Sequence, residues 1–390
     1  MKKVLSINRY TGIDQRSSIG TPDHPLVNQF TPPTIAELHA VFMSDGVPLA
    51  VTAARKALAE ARVDPAEITH MVSTTCTDSA NPGFDHFVAK ALDLPATTEK
   101  VLLHGVGCSG GLAALRTAAN LALGHTHRRK PARVLIVALE ISTTLVRSEL
   151  ESIHESQETR IGAALFSDCA SAILLSNSLP NPSQPPPPPP IYHLLTWHHQ
   201  TLPSTEPDLG FDAHPQGWKV ILSPRVPSLT QSALLPAFTT LLSTTPLQTT
   251  PPAEFDWAMH PGGATILTGA ERALGITPEH MRASYDTYIK HGNSSSATVV
   301  SVMDRLRGKE MDGLAPGGRV REFVVGCAFG PGISVEMCLL RRGQGVFGRG
   351  GLETPPETES EGGSGGSDEG GSEVGEEAFI SEALEGVELD

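Results

Sequence analysis

Three residues of this chain have the types and neighbours needed for acyl transfer. Cys108 stands in the run Gly105-Val-Gly-Cys-Ser-Gly-Gly, between an apolar strand-like segment and an alanine-rich helix. A thiol at a helix start meets partial positive charge, which favours thiolate over thiol. Flanking glycines let a substrate approach the sulfur closely. His260 follows in His-Pro-Gly-Gly, and Asn293 opens Gly292-Asn-Ser-Ser-Ser-Ala. An imidazole beside a thiol can take its proton and hold a thiolate–imidazolium pair. An imidazole N–H and an amide NH2 aimed at one oxygen stabilise the oxyanion or enolate of a thioester. That chemistry needs neither a metal nor a redox cofactor. Each residue also has an ordinary reading: a core cysteine, a satisfied histidine, and an asparagine capping the helix that follows.

The elements that must carry these residues alternate between strand and helix. Residues 46–62 repeat apolar positions at helical spacing, and residues 68–73 read as a strand. A helix is predicted from Cys108 to about residue 124. Residues 133–139 and 170–175 are β-rich runs of the kind that fills buried sheets. In the second half, a strand over 255–259 runs into His260. A helix follows over 264–274, another over 294–306, and two strands over 322–327 and 333–340. This alternation predicts an α/β architecture, with the motif-bearing turns at strand ends.

Composition narrows the function. The formal charge of −14 is concentrated in the tail: from Gly351 onward there are 13 acidic residues and no Lys or Arg, so residues 1–350 carry −1. No clustered basic surface for nucleic acid is indicated. No apolar stretch has the length of a membrane span, and the start, Met-Lys-Lys-Val-Leu-Ser, has no apolar core like that of a secretory signal. Five scattered cysteines (Cys76, Cys108, Cys169, Cys327, Cys338) fit a reducing, cytoplasmic setting better than a disulfide framework or a zinc site. The order Cys, His, Asn also occurs in papain-like proteases, but their local signature around the cysteine is absent. Residues 343–390 read as a disordered acidic tail, and the six prolines at 185–190 as a stiff surface loop.

Four motifs in this order resemble one family: Gly-Val-Gly-Cys-Ser-Gly-Gly, Trp257-Ala-Met-His-Pro-Gly-Gly, Gly292-Asn-Ser-Ser-Ser-Ala and Phe329-Gly-Pro-Gly-Ile-Ser-Val-Glu. They are similar to those of type III polyketide synthases of the chalcone-synthase superfamily. Cys76-Thr-Asp-Ser-Ala-Asn-Pro-Gly and Cys327-Ala-Phe-Gly-Pro-Gly resemble the fungal branch, which makes alkylpyrones, alkylresorcinols and resorcylic acids. The resemblance implies a thiolase-like α/β fold, layered αβαβα and built from two similar halves. The halves would be residues 1–178, carrying the nucleophile, and 191–342, carrying His and Asn, joined by the loop 179–190. It also implies a homodimer that takes acyl-CoA and malonyl-CoA as substrates, with no other cofactor.

The resemblance assigns roles as well. Cys108 would hold the acyl chain, and His260 with Asn293 would decarboxylate malonyl-CoA and stabilise its enolate. Phe166 matches the gatekeeper between the CoA tunnel and the cavity. Phe329, Gly330, Pro331 and Gly332 match the loop shaping the cavity wall. Asn81 matches the position that reaches the partner subunit's cavity. Ser142, Leu145, Val220 and Ser295 fall at pocket positions, where a roomy apolar lining would suit a fatty-acyl starter. Lys3 and Arg9 are candidates for CoA phosphates.

The family pattern includes a further strand, a helix and part of the CoA entrance before the segment that here begins at Met1. That departure puts CoA binding in question. It keeps two alternatives in view: a ketoacyl-ACP synthase III-like enzyme making one condensation, and a silent homologue that only dimerises.

Overall fold

The computed structural model describes residues 8–21, 23–156, 161–177, 179, 188–214 and 217–343. Lys3, the prolines at 185–187 and all but Gly343 of the acidic tail lie outside them. Two four-stranded sheets form the frame. The first has the order β2-β1-β3-β4, from β1 (His70–Thr74), β2 (Glu99–Leu103), β3 (Arg133–Glu140) and β4 (Cys169–Ser176). The second has the order β5-β10-β9-β8, from β5 (Tyr192–Thr201), β8 (Asp256–Met259), β9 (Phe323–Gly330) and β10 (Ser334–Arg342). A hairpin, β6 (Leu209–His214) and β7 (Gly217–Leu222), stands apart.

The halves share a plan: β1 is parallel to β3, which is antiparallel to β4, and β8 is parallel to β9, which is antiparallel to β10.

Side-chain alternation along the strands produces layers. Val72, Val134 and Ile136 of the first sheet face inward, as do Ala258, Val324, Ala328 and Leu340 of the second. Between them lie two buried helices, Gly110–His127 and Thr298–Arg305, joined in one core through Leu112, Ala114, Ala118, Val299, Val302 and Met303. The small residues of the first helix permit this close packing. The opposite face of the first sheet (Met71, Leu135, Val137, Leu139) packs on helices Val47–Ala61 and Phe84–Ala91. The opposite face of the second (Trp257, Met259, Val325, Met337) packs on Val226–Leu242 and Ala264–Leu274. The result is the αβαβα stack of a thiolase-like fold.

The predicted elements sit close to the observed ones, with three differences that matter. Cys108 occupies a single 3-10 turn, Gly107–Ser109, before the helix proper. The helix after Asn293 likewise opens with a 3-10 turn, Ser295–Ala297. Strand β9 runs on to Gly330, so the linker to β10 is shorter than the sequence indicated.

A buried ion triad fixes the strand that delivers His260. Asp256, the first residue of β8, accepts from Arg282 Nη1 at 2.8 Å and Nη2 at 3.0 Å, and from Arg342 Nη2 at 2.9 Å. These bonds tie β8 to helix Arg282–His291 and to the end of β10. Among the described residues, no helix is long and apolar enough to cross a membrane.

Candidate active site

Cys108, His260 and Asn293 come from three segments separated in sequence, and Asn293 links the other two, facing the Cys108 thiol and the loop that follows His260. The Cys108 turn is wedged against the loop between β9 and β10. Gly107 has φ +52°, and a Cβ there would meet Pro331 Cδ at 2.6 Å. A Cβ on Gly330 would meet the Val106 carbonyl oxygen at 2.5 Å and collide with Ser109 Oγ. Behind the turn, Gly110 and Gly111 leave room for Ser296: a Cβ on Gly111 would lie 2.5 Å from the Ser296 carbonyl oxygen. These glycines therefore let two loops close on the thiol from opposite sides.

Asn293 is the hub. Its backbone is stitched to the segment carrying Phe166, with Asn293 N–H donating to Leu165 O at 3.0 Å and Ser167 N–H donating to Asn293 O at 2.9 Å. Its side-chain oxygen accepts from Ser295 N–H at 2.8 Å, which turns the NH2 group the other way. That NH2 points at Gly262 O, 3.4 Å away, and lies within hydrogen-bonding reach of the Cys108 thiol. Ser295 hydroxyl also reaches Cys108, and its backbone sits at φ +47°, an uncommon conformation for a side-chain-bearing residue.

His260 follows β8 directly, its N–H donating to Cys327 O at 2.7 Å. The residue is 2% exposed, and neither ring nitrogen has a hydrogen-bond partner among the described residues. A buried imidazole left open at both nitrogens is costly in a folded core unless something else fills the bond.

The charge state differs from the thiolate–imidazolium pair expected from sequence. Burial pushes the Cys108 thiol up to about 11, opposed by Ser295 and Asn293 and reinforced by the carboxylate of Glu140. Burial pulls the His260 imidazole down to about 3. Both groups therefore favour their neutral forms near pH 7. The helix-end charge that argued for a thiolate acts across an intervening 3-10 turn and is outweighed by desolvation.

Glu140 is a residue the sequence reading passed over. It is fully buried at the end of β3 and accepts from Cys76 N–H (3.0 Å), Thr77 Oγ1 (3.0 Å) and Ser296 Oγ (2.5 Å). It thus anchors the Cys76 turn to the Ser295–Ala297 turn beside the thiol. Burial raises its pKa. Cys76, read only as part of a motif, has its sulfur 3.4 Å from Ser295 Oγ. The signal for both was a buried polar residue at a strand end, which the β-rich run 133–139 had stopped one residue short of.

The remaining candidates are distributed around this centre. Phe166 stacks at an angle on Phe211 of β6, with ring centroids 6.2 Å apart, and Val220 of β7 is the cross-strand neighbour of Phe211. Gly332 N–H donates to Leu209 O at 2.9 Å, so the hairpin meets the β9–β10 loop as well. Phe329 is buried. Ser142 and Leu145 are buried at the end of β3, where Asp168 accepts from Ser142 N–H at 2.6 Å. Asn81 is exposed at a turn before a cis Pro82. Arg9 is exposed, and none of the hydrogen bonds that build this centre involves it.

The chain is similar to known proteins along most of its length. Residues 5–178 match the N-terminal domain of chalcone and stilbene synthases, and residues 194–343 match their C-terminal domain. The chain is 39% identical over 361 residues to the type III polyketide synthase pspB of Penicillium soppii, covering 88% of this chain and 87% of that one. It is 37% identical over 347 residues to the acylalkylpyrone synthase csyB of Aspergillus oryzae, covering 88% and 86%. Among solved structures, a type III pentaketide synthase from Neurospora crassa superposes with a TM-score of 0.84 at 70% identity, covering 88% and 90%. Enzymes of this kind work on CoA thioesters without a further cofactor. The chain belongs to the chalcone and stilbene synthase family and is a type III polyketide synthase.

Proposed function

We propose that Cys108 loads an acyl group from an acyl-CoA starter and that His260 and Asn293 drive its repeated extension by malonyl-CoA. The observation that carries this reading is the pairing of Asn293 NH2, in reach of the Cys108 thiol, with a buried His260 whose two ring nitrogens lack partners. In the loading step the thiol proton passes to the neutral imidazole. The thiolate then attacks the thioester carbonyl, and CoA leaves as its thiolate and takes that proton back. Malonyl-CoA next loses CO2 to give an enolate, whose oxygen accepts from His260 and from Asn293 NH2. The enolate carbon attacks the Cys108 thioester, forming the new carbon–carbon bond and expelling the Cys108 thiolate. The extended β-ketoacyl-CoA reloads Cys108 by thiol exchange, and the finished chain cyclises.

The starter is a medium- or long-chain fatty acyl-CoA. Small or aliphatic side chains at Ser142, Leu145 and Val220 support this reading, and Phe166 serves as the gate. The 70% identity to a pentaketide synthase supports a pentaketide chain, closed to an alkylpyrone, an alkylresorcinol or a resorcylic acid. The active form is a cytoplasmic homodimer in which Asn81 approaches the partner's cavity. The two catalytic halves are residues 1–178 and 191–342.

The test is incubation of the full chain with lauroyl-CoA and labelled malonyl-CoA, beside Cys108→Ala. Labelled pyrone or resorcinol that vanishes in the variant is the expected result. Folded protein that forms neither product nor an acyl-Cys108 adduct would sink the proposal in favour of a silent homologue. A single-condensation product would favour a ketoacyl synthase III-like activity.

A further inference from the structure

We infer that Arg16 is a positioning residue for the Phe166 gate, and through it for the choice of acyl starter. The inference rests on the proposed role of Phe166. Arg16 Nη1 donates to Ala163 O at 2.7 Å and to Phe166 O at 3.1 Å. Those carbonyls close the one-turn helix Gly162–Leu165, whose last acceptors have no partners further along the helix. A guanidinium there satisfies both and sets the direction in which the chain leaves, and so the placement of the Phe166 ring on Phe211.

Arg16 is itself held in place. The segment on which it lies is bonded to the end of helix Arg282–His291, with Asp14 and Gln15 N–H groups donating to Ile289 O at 2.8 and 3.2 Å, and Ser17 N–H to His291 O at 3.2 Å. The same segment accepts at Ser17 O from Asp168 N–H at 2.8 Å, and Ile19 N–H donates to Asp168 Oδ2 at 2.9 Å. The stem of Arg16 lies over Gly292, where an added Cβ would meet its Cγ at 2.9 Å. Gly292 has φ +76° and directly precedes Asn293. Residues 14–19 therefore form a strap joining the gate segment to the backbone that presents Asn293, with Arg16 as its side-chain link to Phe166 among the described residues. No motif around Cys108, His260 or Asn293 includes this residue.

The test measures kcat/KM for lauroyl-CoA relative to hexanoyl-CoA, with malonyl-CoA saturating. The proteins are the wild type, Arg16→Met, Arg16→Lys, Phe166→Ala and the Arg16→Met/Phe166→Ala double variant. Loss of both bonds in Arg16→Met is expected to change the ratio about tenfold, the scale at which sub-ångström misplacement acts. Arg16→Lys, with one donor group on a shorter stem, is expected to change it about threefold, and carries the test if Arg16→Met does not fold. In the Phe166→Ala background the Arg16 substitution should change the ratio no further, since its effect runs through the ring.

An unchanged ratio in Arg16→Lys, or an Arg16→Met shift that persists undiminished without the Phe166 ring, overturns the inference. A uniform loss for both starters with a lower Tm also overturns it, because that is the signature of a structural role alone. If Phe166→Ala by itself leaves the ratio at the wild-type value, the gate reading fails and this inference falls with it. If Phe166→Ala shifts the ratio and the Arg16 variants do not, only the Arg16 assignment fails.

Discussion

Substituting Gly330 by alanine probes the contact that holds the nucleophile. Its new Cβ would lie 2.5 Å from Val106 O and closer still to Ser109 Oγ, whereas carbon atoms of this type keep at least 3.0 Å. The carbonyl must therefore retreat by at least about 0.5 Å, and it belongs to the backbone two residues before Cys108. Because a backbone atom cannot swing aside as a side chain does, the strain spreads into the Gly107–Ser109 turn. Overpacking of this kind costs about 1–3 kcal/mol of stability. If half the displacement reaches the sulfur, a loss of roughly threefold in Cys108 acylation follows, by the rule that 1 Å can cost about a hundredfold.

The assay is single-turnover loading of lauroyl-CoA followed by intact mass, beside a thermal melt. Malonyl-CoA decarboxylation is run in parallel, because it depends on His260 and Asn293 and should fall less than loading. Wild-type loading together with an unshifted melt would refute the reasoning, since the clash would then have been absorbed without touching Cys108.

Three further outcomes are expected. Alkylation of Cys108 by iodoacetamide should rise about tenfold per pH unit from pH 7 to 10, because a thiol pushed up to about 11 stays mostly protonated throughout that range. An inflection near pH 6 would instead reveal an imidazolium-paired thiolate. Asp256→Ala leaves the Arg282 and Arg342 guanidinium groups buried without their shared carboxylate and should cost about 3–5 kcal/mol, read as a large fall in denaturant midpoint. Gly124→Ala, at an exposed helical site with nothing within 4 Å of the new Cβ, should stabilise by about 0.5–1 kcal/mol with unchanged turnover.

What the sequence revealed and what it hid divide along the range of the interactions involved. The β-branched run at 133–139 and the apolar spacing at 47–61 report local preferences, so β3 and helix Val47–Ala61 were legible. Strand β2 was legible as the apolar segment before the Cys108 turn but not at its start, because Glu99 and Lys100 are exposed and only its far end is covered. Helix Val226–Leu242 was hidden by Pro227 at its start and Pro236 within it. The motifs around Cys108, His260 and Asn293 are each short and contiguous, which is why they could be picked out one at a time. Glu140 meets Ser296 across 156 residues, and Arg16 meets Phe166 across 150, and no spacing rule reports such pairs. The order of the layers came from family resemblance, since periodicity says which face of a strand is covered but not by what.

The burial that keeps the thiol and the imidazole neutral favours one step of the proposed cycle and opposes another. In an ion pair the thiolate would already be free to attack, whereas the neutral pair must first pass the thiol proton to the imidazole. Burial pushes the thiol up and pulls the imidazole down, so both shifts oppose that transfer, while a neutral imidazole can donate an N–H to the enolate oxygen without carrying net charge into a dry pocket. A sulfur pushed up to about 11 is a strong nucleophile once deprotonated, but a slower leaving group when the enolate carbon attacks its acyl thioester. Burial thus costs thiolate at rest and slows its expulsion, and what it favours is the neutral imidazole at the enolate. Ser295 and Asn293, which lower the thiol against that burial, set how far the balance goes. Shifting it toward thiolate, by removing the Glu140 charge for example, should quicken both loading and the expulsion of Cys108 in extension.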